Sequence, residues 1–498
     1  MAAITAYRTY GDATPWADIV NDYDAAWSLY DGSAFRVANG RLTNIRRHAQ
    51  LYRNTRLLFS HAGKVGDFYA AMVYQGTLPT DGKRLPDGSP GAIPIDPQTG
   101  SDTANEALRA AIATTWSRCR WQQYMGLRPL YGSILKECLT ELIDVPSSHM
   151  AFPQVVWPGY VAGLDLNIAG DVTAYALEYD ITRVEQGQQV TFHYRKEVDK
   201  ASFRHYRKDA GDWRLWDPDG RGAEVPNPYG FVPAIWDRHK LGRNGEALSA
   251  IQDTMSGLYE LNSFFSHGID YTRQTFKSPV VVRGRTAITA PQTLLGPSRD
   301  SDPRKLAEDQ TWVDASIEGG VEILQFDMGQ AMKIVERLRE DVLDANPEAS
   351  FYHELRQMST LTGPAVERAL GDAVTRVGKA RDGYDTQSAK QFQMQVAMCG
   401  FRYHDPGPDG WRAHGGLTAR DDVFKPYTLD SYQQGDLNLS ILERPVVPRT
   451  PEERLDLLAK RELLRYQDSF EGLGMTDADA ATLITAREET ELRRNSVA

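Results

Sequence analysis

A long amphipathic pattern in the middle of the chain constrains the fold more than any other feature. Between Gly245 and Phe276 the sequence predicts one helix, with apolar residues three and four positions apart. This stripe consists of Leu248, Ile251, Met255, Leu258, Phe265 and Ile269. Asn262 is its one polar member. A stripe this long predicts packing against other helices, with Asn262 fixing the register; a satisfied asparagine in an ordinary core helix is an equally good interpretation.

The chain before this helix divides into a helical part and a strand-rich part. Residues 1–150 predict mainly helices, with "TANEALRAAIATTWSRCRWQQYMGL" and "GSILKECLTELI" as the clearest amphipathic stretches. A Pro-, Gly- and Asp-rich stretch near residues 78–104 predicts a long loop. Residues 151–236 carry β-branched and aromatic residues in partial alternation, which predicts a meander of antiparallel strands.

After the helix the pattern changes twice. "SPVVVRG" and "GVEILQFD" predict two short strands around a polar, Pro-rich excursion. A second helix is predicted from Met328 to about Asp344. Its apolar face consists of Met332, Val335, Leu338 and Val342. Further on, "DLNLSILER" predicts a strand, and two helical patterns close the chain.

The segment from Asn346 to Thr362 is poor in bulky aliphatic residues and predicts an exposed loop. Gly363 and Pro364 follow it and predict the start of a helix, because proline pre-sets the backbone of a first helical turn. The apolar residues of that helix are Val366, Ala369, Ala373, Val377, Ala380 and Tyr384. Small residues on this face allow a neighbouring helix to approach closely.

Composition narrows the class of protein. With 41% hydrophobic and 25% charged residues, the 498-residue chain predicts a soluble folded protein. The net charge of -11 argues against a tight, non-specific grip on nucleic-acid phosphates. Three widely spaced cysteines suit a reducing cytoplasm. We see no signal peptide and no run of apolar residues long enough to span a membrane, and we expect no membrane partner.

Motifs for chemistry are weak throughout. The sequence lacks the G-x-x-x-x-G-K-[ST] and H-E-x-x-H patterns and the nucleophile elbow, so we expect no catalytic residue, cofactor or metal. "WDPDGRGAE", at residues 216–224, superficially resembles a calcium loop. Its glycine stands at the wrong position and no Glu follows at the twelfth, so a hairpin turn is the better interpretation.

The order of these elements resembles the portal proteins of tailed bacteriophages. The lead-in "PNPYGFVPAIWDRHKLGRNGEAL" resembles the family segment before its first stem helix, and "LTGPAVERAL" resembles the segment that starts its long helix. The resemblance covers nearly the whole chain through short, degenerate motifs. The loop near residues 78–104 departs from the family pattern.

The resemblance implies an α+β portal fold assembled as a ring. It has an α/β wing, a helical stem, a small α/β clip and an α-helical crown. The implied domains are 1–240, N-terminal wing; 241–276, stem helix; 277–326, clip; 327–346, second stem helix; 347–447, tunnel loop, long helix and wing strand; and 448–498, crown.

The resemblance also implies a function that is not enzymatic. Such a ring, commonly a dodecamer, forms the channel at one capsid vertex through which double-stranded DNA is packaged and ejected. Its other partners are the large terminase, the major capsid and scaffolding proteins, and head-completion or adaptor proteins. The protein would be made in the host cytoplasm and reside in the virion.

Two sets of candidate site residues follow. The DNA-channel candidates, on the tunnel loop and stem, are Phe351, His353, Arg356, Gln357, Ser359, Thr360, Lys333, Arg337 and Arg339. The subunit-interface candidates are Leu248, Ile251, Met255, Leu258, Asn262, Phe265 and Ile269. For any one of the basic residues, an ordinary surface or inter-subunit ion pair is the simpler interpretation.

Two other classes stay open. An intracellular carbohydrate-active hydrolase would use tryptophans as sugar platforms, although strand aromatics more commonly pack a sheet. The candidates are Trp157, Trp213, Trp216 and Trp236. A different ring-forming head-tail adaptor is also conceivable, but such proteins are usually far shorter.

Overall fold

The computed structural model describes residues 16–32, 37–38, 41–42, 61–74, 95–185, 187–209, 211–218, 220, 222–243, 245–275, 280–283, 311–314, 320–323, 328–351, 370–404, 422–442, 444 and 446. The chain forms two compact units. The first unit comprises Met1–Trp27, Ala62–Gln252 and Asn346–Ala498, and the second comprises Ser28–His61 and Asp253–Ala345. The second unit thus interrupts the sequence of the first at two places.

Helices and strands both contribute to the described part. Its helices are α1 Trp16–Asp31, α2 His61–Met72, α3 Asp102–Arg118, α4 Trp121–Met125, α5 Leu127–Leu135, α6 Met255–Thr275, α7 Met328–Ala345, α8 Gly371–His404 and α9 Leu429–Gln434. Its strands are β1 Val37–Ala38, β2 Arg41–Leu42, β3 Ile95–Pro97, β4 Glu137–Val145, β5 Met150–Val156, β6 Val161–Leu166, β7 Val172–Glu185, β8 Gln188–Asp199, β9 Ser202–Asp209, β10 Asp212–Leu215, β11 Glu224–Pro226, β12 Ala234–Arg238, β13 Lys240–Leu241, β14 Ala247–Leu248, β15 Val280–Arg283, β16 Thr311–Asp314, β17 Gly320–Ile323 and β18 Leu439–Ile441.

The first amphipathic stretch is helical, as predicted, and forms two helices. Ser101 caps α3 by accepting a hydrogen bond from the backbone N of Ala104 at 3.3 Å. The helix ends where Arg120 adopts a left-handed backbone with φ of +48°, and α4 begins at the next residue. The long loop predicted near residues 78–104 also ends early, because Ile95–Pro97 already forms β3.

The prediction of a helix for "GSILKECLTELI" is wrong in its second half. Helix α5 ends at Leu135, Lys136 has a φ of +80°, and the chain continues as β4. Strand β4 is central in a three-stranded sheet of order β12-β4-β5, with antiparallel partners on both sides. Pairing on both edges outweighs the helical spacing of the local sequence.

The predicted strand meander is confirmed for its middle part, whereas the strands at its two ends, β5 and β12, pair with β4 in the other sheet. Strands β6 to β10 follow one another in the order β10-β9-β8-β7-β6, and β11 also pairs with β9. Each of these pairings is antiparallel. Apolar residues of β6, β7 and β8 pack with the sheet of β4, β5 and β12 in one core. That core contains Leu139, Tyr175, Val198 and Trp236.

Helix α8 spans 34 residues and carries the predicted small-residue stripe into the core. Ala373, Val377, Ala380 and Tyr384 are all buried, as predicted; Val366 and Ala369 lie outside the described residues. The strand predicted in "DLNLSILER" is β18, which pairs with β3, more than 300 residues earlier in the sequence. Helix α8 and strand β18, from the C-terminal part of the sequence, therefore complete the first unit.

The second unit contains the predicted pair of helices and both predicted short strands. Strands β15 and β17 pair antiparallel, and the third strand β16, which the sequence analysis missed, pairs parallel with β15. Helix α7 runs from Met328 to Ala345, within one residue of the predicted bounds. The apolar face of α7 is confirmed where its side chains are described: Val335 and Val342 are buried and Leu338 is half-buried.

Candidate channel and subunit-contact residues

The two helices that flank the small sheet pack against each other. Gly257 on α6 lies against Val342 on α7, so close that a Cβ atom at position 257 would stand 3.1 Å from Val342 Cγ2. The first turns of α6 thus meet the last turns of α7. The other ends of the helices lead to β15 and β17, which are paired. Helices α6 and α7 are therefore antiparallel.

The predicted helix Gly245–Phe276 begins ten residues later than expected, so Leu248 and Ile251 are not part of it. Leu248 belongs to β14, which forms a short hairpin with β13. Gly245, with a φ of +81°, donates its backbone N–H to the carbonyl of Gly242 at 3.1 Å and closes this turn. A residue with this left-handed backbone is not part of a right-handed α-helix, so the helix does not start at Gly245 as predicted.

The subunit-interface candidates other than Leu248 and Asn262 differ in how deeply they are buried. Ile251 and Leu258 are buried within the chain, so their predicted availability to a neighbouring subunit is wrong. Met255 and Phe265 are half-buried. Ile269 lies on α6, but its side chain is outside the described residues.

The structure supports the second interpretation of Asn262, that of a hydrogen-bonded asparagine in the interior of the chain. Its side chain is 1% exposed, and its amide donates to the carbonyl of Leu258 at 2.9 Å, one turn earlier in the same helix. A polar side chain that bonds back to the preceding turn is satisfied without another subunit. The asparagine that suggested a register device is thus part of the interior of this chain.

The basic stem candidates lie on the surface. Lys333, Arg337 and Arg339 on α7 are all exposed. The acidic residues Glu336, Glu340 and Asp341 alternate with them and are exposed too. This face of α7 therefore presents charges of both signs.

The start of the predicted tunnel loop is not exposed. Asn346, Glu348, Ala349 and Phe351 are buried, and the Phe351 ring lies 4.8 Å from the ring of Phe68 on α2. The prediction that Phe351 lines a channel is wrong in this structure, because its side chain is in the core. Residues 346–351 instead anchor the chain after α7.

Glu348 is the centre of that anchor. Its carboxylate is 1% exposed, accepts a hydrogen bond from the Tyr69 hydroxyl at 2.7 Å, and has both oxygens 3.4 Å from Arg376 Nη1. Burial raises the pKa of the Tyr69 phenol and the Glu348 charge raises it further, so Tyr69 stays a donor. A charge buried this deeply needs such partners. Helices α2 and α8 thereby fix residue 348 from two sides.

The other members of the tunnel-loop set lie outside the described residues. These are His353, Arg356, Gln357, Ser359 and Thr360. The predicted helix start at Gly363 and Pro364 and the predicted crown at 448–498 also lie outside them. The described part of α8 begins at Gly371.

A buried polar network in the first unit was not found from the sequence. Arg128 on α5 makes a bidentate pair with Asp237 on β12, with Nε–Oδ2 at 2.8 Å and Nη2–Oδ1 at 2.6 Å. Its Nη1 donates to Ser388 Oγ and Gln391 Oε1 on α8, both at 3.0 Å. One guanidinium thus links a helix, a strand and the long helix. One arginine in an amphipathic helix gives no sign of burial in the sequence alone.

The tryptophans of the hydrolase alternative are distributed over the first unit. Trp236 is in the apolar core. Trp157 packs edge-on against Trp27 and Tyr131. Trp213 and Trp216 lie beneath cationic side chains, Trp216 with the Arg183 guanidinium 4.8 Å from its ring. This arrangement is typical of sheet packing.

The calcium-like motif is a tight loop in this structure. The Asp217 carboxylate accepts hydrogen bonds from the backbone N–H groups of Gly220 at 2.7 Å and Gly222 at 2.9 Å. The loop joins β10 and β11, both of which pair with β9, so it is not a simple hairpin turn. Within the described ranges, no group of three or more His, Cys, Asp or Glu side chains is placed to hold a metal.

No family profile matches the chain, and no curated protein matches it significantly. Among the helices in the described part, none is long and apolar enough to cross a membrane.

Proposed function

We propose that this chain is a phage portal protein, the ring-shaped channel at one capsid vertex through which double-stranded DNA enters and leaves. The observation that carries the proposal is the organisation of the second unit. Two antiparallel helices, α6 and α7, bracket a three-stranded sheet, and this unit interrupts the first unit in sequence. A stem and clip inserted into a wing require this order of elements.

The anchor after α7 supports the same function. A channel protein needs its loops to project from a rigid base, because DNA moving past them exerts force. Glu348, Tyr69 and Arg376 fix the chain immediately after α7, and Phe351 and Phe68 pack beside them. Residues 353–360 follow this fixed point and are the proposed DNA-facing segment.

The charge of the molecule suits passage rather than retention of DNA. A net charge of -11 provides little attraction for phosphates, so contacts need not be broken at each step of translocation. The proposed partners are further copies of this chain, the large terminase, capsid and scaffolding proteins, and head-completion proteins. The proposed location is the virion.

The decisive experiment is the assembly state of the purified full chain. Native mass measurement and negative-stain images should reveal closed rings with a central hole. A chain that remains monomeric at all protein and salt concentrations, also with co-expressed scaffolding protein, contradicts the proposal.

A second experiment separates assembly from DNA handling. Deletion of residues 353–360 should leave rings intact and reduce packaged DNA, measured by nuclease protection in assembled heads. The deletion spares Phe351 and Glu348, so the anchor is retained. Normal packaging in this variant removes these residues from the channel.

A further inference from the structure

The second unit presents two large apolar side chains on its surface. In its described part, Phe264 on α6 is 44% exposed and Ile334 on α7 is 63% exposed. Neighbouring positions on the same helices, Leu261 and Val335, are buried. Contiguous exposed apolar side chains mark contact surfaces, whereas a single one is common on any protein.

Phe264 and Ile334 lie at the same level of the helix pair. The close contact of Gly257 with Val342 sets the level of one helix against the other. Phe264 is seven residues after Gly257, and Ile334 is eight residues before Val342. At a rise of about 1.5 Å per residue, both lie roughly 10–12 Å from that contact. The two side chains therefore lie at about the same height along the antiparallel helix pair.

The opposite side of α6 already has a partner in its own unit. Tyr259 Oη lies 3.3 Å from Ser28 Oγ at the end of α1, and Leu29 next to it is buried. Leu258 and Asn262 on α6 are buried as well. Leu258 and Asn262, two members of the predicted stripe, are thus used inside the chain, whereas Phe264 and Ile334 stay exposed to an external partner.

Charge favours a second copy of this chain as that partner. The whole chain carries a net charge of -11, so two copies repel each other over most approaches. Between Lys333 and Asp341, however, α7 carries three cations and three anions, all exposed. Two copies meeting at this locally neutral face avoid that repulsion and find charges of opposite sign within one helical turn. A nucleic acid would instead meet Glu336, Glu340 and Asp341.

We infer that the face formed by Phe264, Ile334 and the flanking charges of α7 is the contact between neighbouring copies, in place of the predicted heptad stripe. This inference rests on the proposed ring. It changes the residues that form the ring: exposed positions level with one another on two helices form the contact, and Leu258 and Asn262 stabilise the single chain.

The test compares three full-length proteins by size-exclusion chromatography with light scattering. The first is wild type. The second carries Phe264→Ser and Ile334→Ser. The third carries Ile168→Ser, which replaces an even more exposed isoleucine in the turn after β6 of the first unit. Thermal unfolding is measured for each, and the single variant Ile334→Ser is included should the double variant fail to fold.

We expect the double variant to unfold at the wild-type temperature yet to dissociate at least about tenfold more readily, while Ile168→Ser assembles normally. A double variant that assembles like wild type overturns the inference and leaves the proposed ring standing. A wild type that forms only pairs, which the double variant abolishes, supports the contact and contradicts the ring. A wild type that is monomeric at every concentration, also with co-expressed scaffolding protein, overturns both.

Discussion

Removing Arg128 from the buried network of the first unit should destabilise the protein strongly. In Arg128→Met the side chain keeps most of its length but loses its bidentate pair with Asp237 and its bonds to Ser388 and Gln391. The Asp237 carboxylate is almost fully buried and cannot recover these partners from water. Leaving one charge of a buried pair uncompensated costs about 3–5 kcal/mol.

The double variant Arg128→Met with Asp237→Leu makes the reasoning specific. Replacing a buried pair by apolar side chains of similar volume is often neutral, so we expect stability to return to within about 2 kcal/mol of wild type. A matched control is Arg207→Met. Its pair with Glu185, at 2.7 Å, is partly exposed and should contribute less than about 1 kcal/mol.

The assay is calorimetry together with denaturant unfolding followed by tryptophan fluorescence. The unfolding temperature of the first unit should fall by about 4–6 °C in Arg128→Met. A loss below about 1 kcal/mol in this variant refutes the reasoning. A double variant that is no more stable than Arg128→Met also refutes it, since the cost would then not come from an unpaired charge.

Four further outcomes are expected from single positions. Burial lowers the pKa of His239 to about 3, so between about pH 6.5 and pH 3 the unfolded chain binds a proton at this residue and the folded chain does not. The free energy of unfolding should therefore fall as pH drops below about 6.5, by up to about 1.4 kcal/mol per pH unit. Denaturant unfolding of His239→Gln should reveal a smaller dependence on pH. In Gly132→Ala the new Cβ would overlap Oη of the buried Tyr384, so the free energy of unfolding should fall by about 1–3 kcal/mol in denaturant unfolding, and an unchanged value contradicts this packing. Burial raises the pKa of the Cys399 thiol to about 12, so iodoacetamide near neutral pH should label it only after unfolding, as mass spectrometry will reveal. Asn262→Leu should leave the distribution of oligomers unchanged in native mass spectra, because the amide bonds within its own helix; a broadened distribution would restore it as a register device.

Elements specified by local pattern could be predicted from the sequence. The bounds of α7, the meander of β6 to β10 and the short strands β15 and β17 all follow from periodicity and turn residues. In α7 the apolar face in the sequence is the face that packs, where its side chains are described. Strands that pair with their immediate neighbours in sequence need no distant information.

Elements specified by distant partners could not be predicted. Strand β4 has a helical spacing of apolar residues but is held between β12 and β5. Phe351 looked like part of an exposed loop because its partner Phe68 is far away in sequence. Non-local packing overrides weak local preferences in both.

The start of α6 was misplaced for a local reason. The glycines at 242 and 245 form a turn that makes β13 and β14 a hairpin, and the apolar residues after them fitted the helical stripe by coincidence. The spacing of apolar residues gives no information about the positive φ at Gly245. The candidate contact residues consequently changed from the stripe to Phe264 and Ile334.

The long-range bonds of Arg128 have a consequence for synthesis of the protein. Its partner Ser388 follows 260 positions later in the chain. At about 5–20 residues per second, a ribosome needs roughly 13–50 s to make that stretch. All of Asp253–Ala345 leaves the ribosome within this interval, so the inserted unit can fold before its host is complete. During that time α5 and the sheet of β4, β5 and β12 lack α8 and expose the apolar surface that α8 later covers. The yield of protein in cells should therefore depend on the elongation rate and on the supply of chaperones.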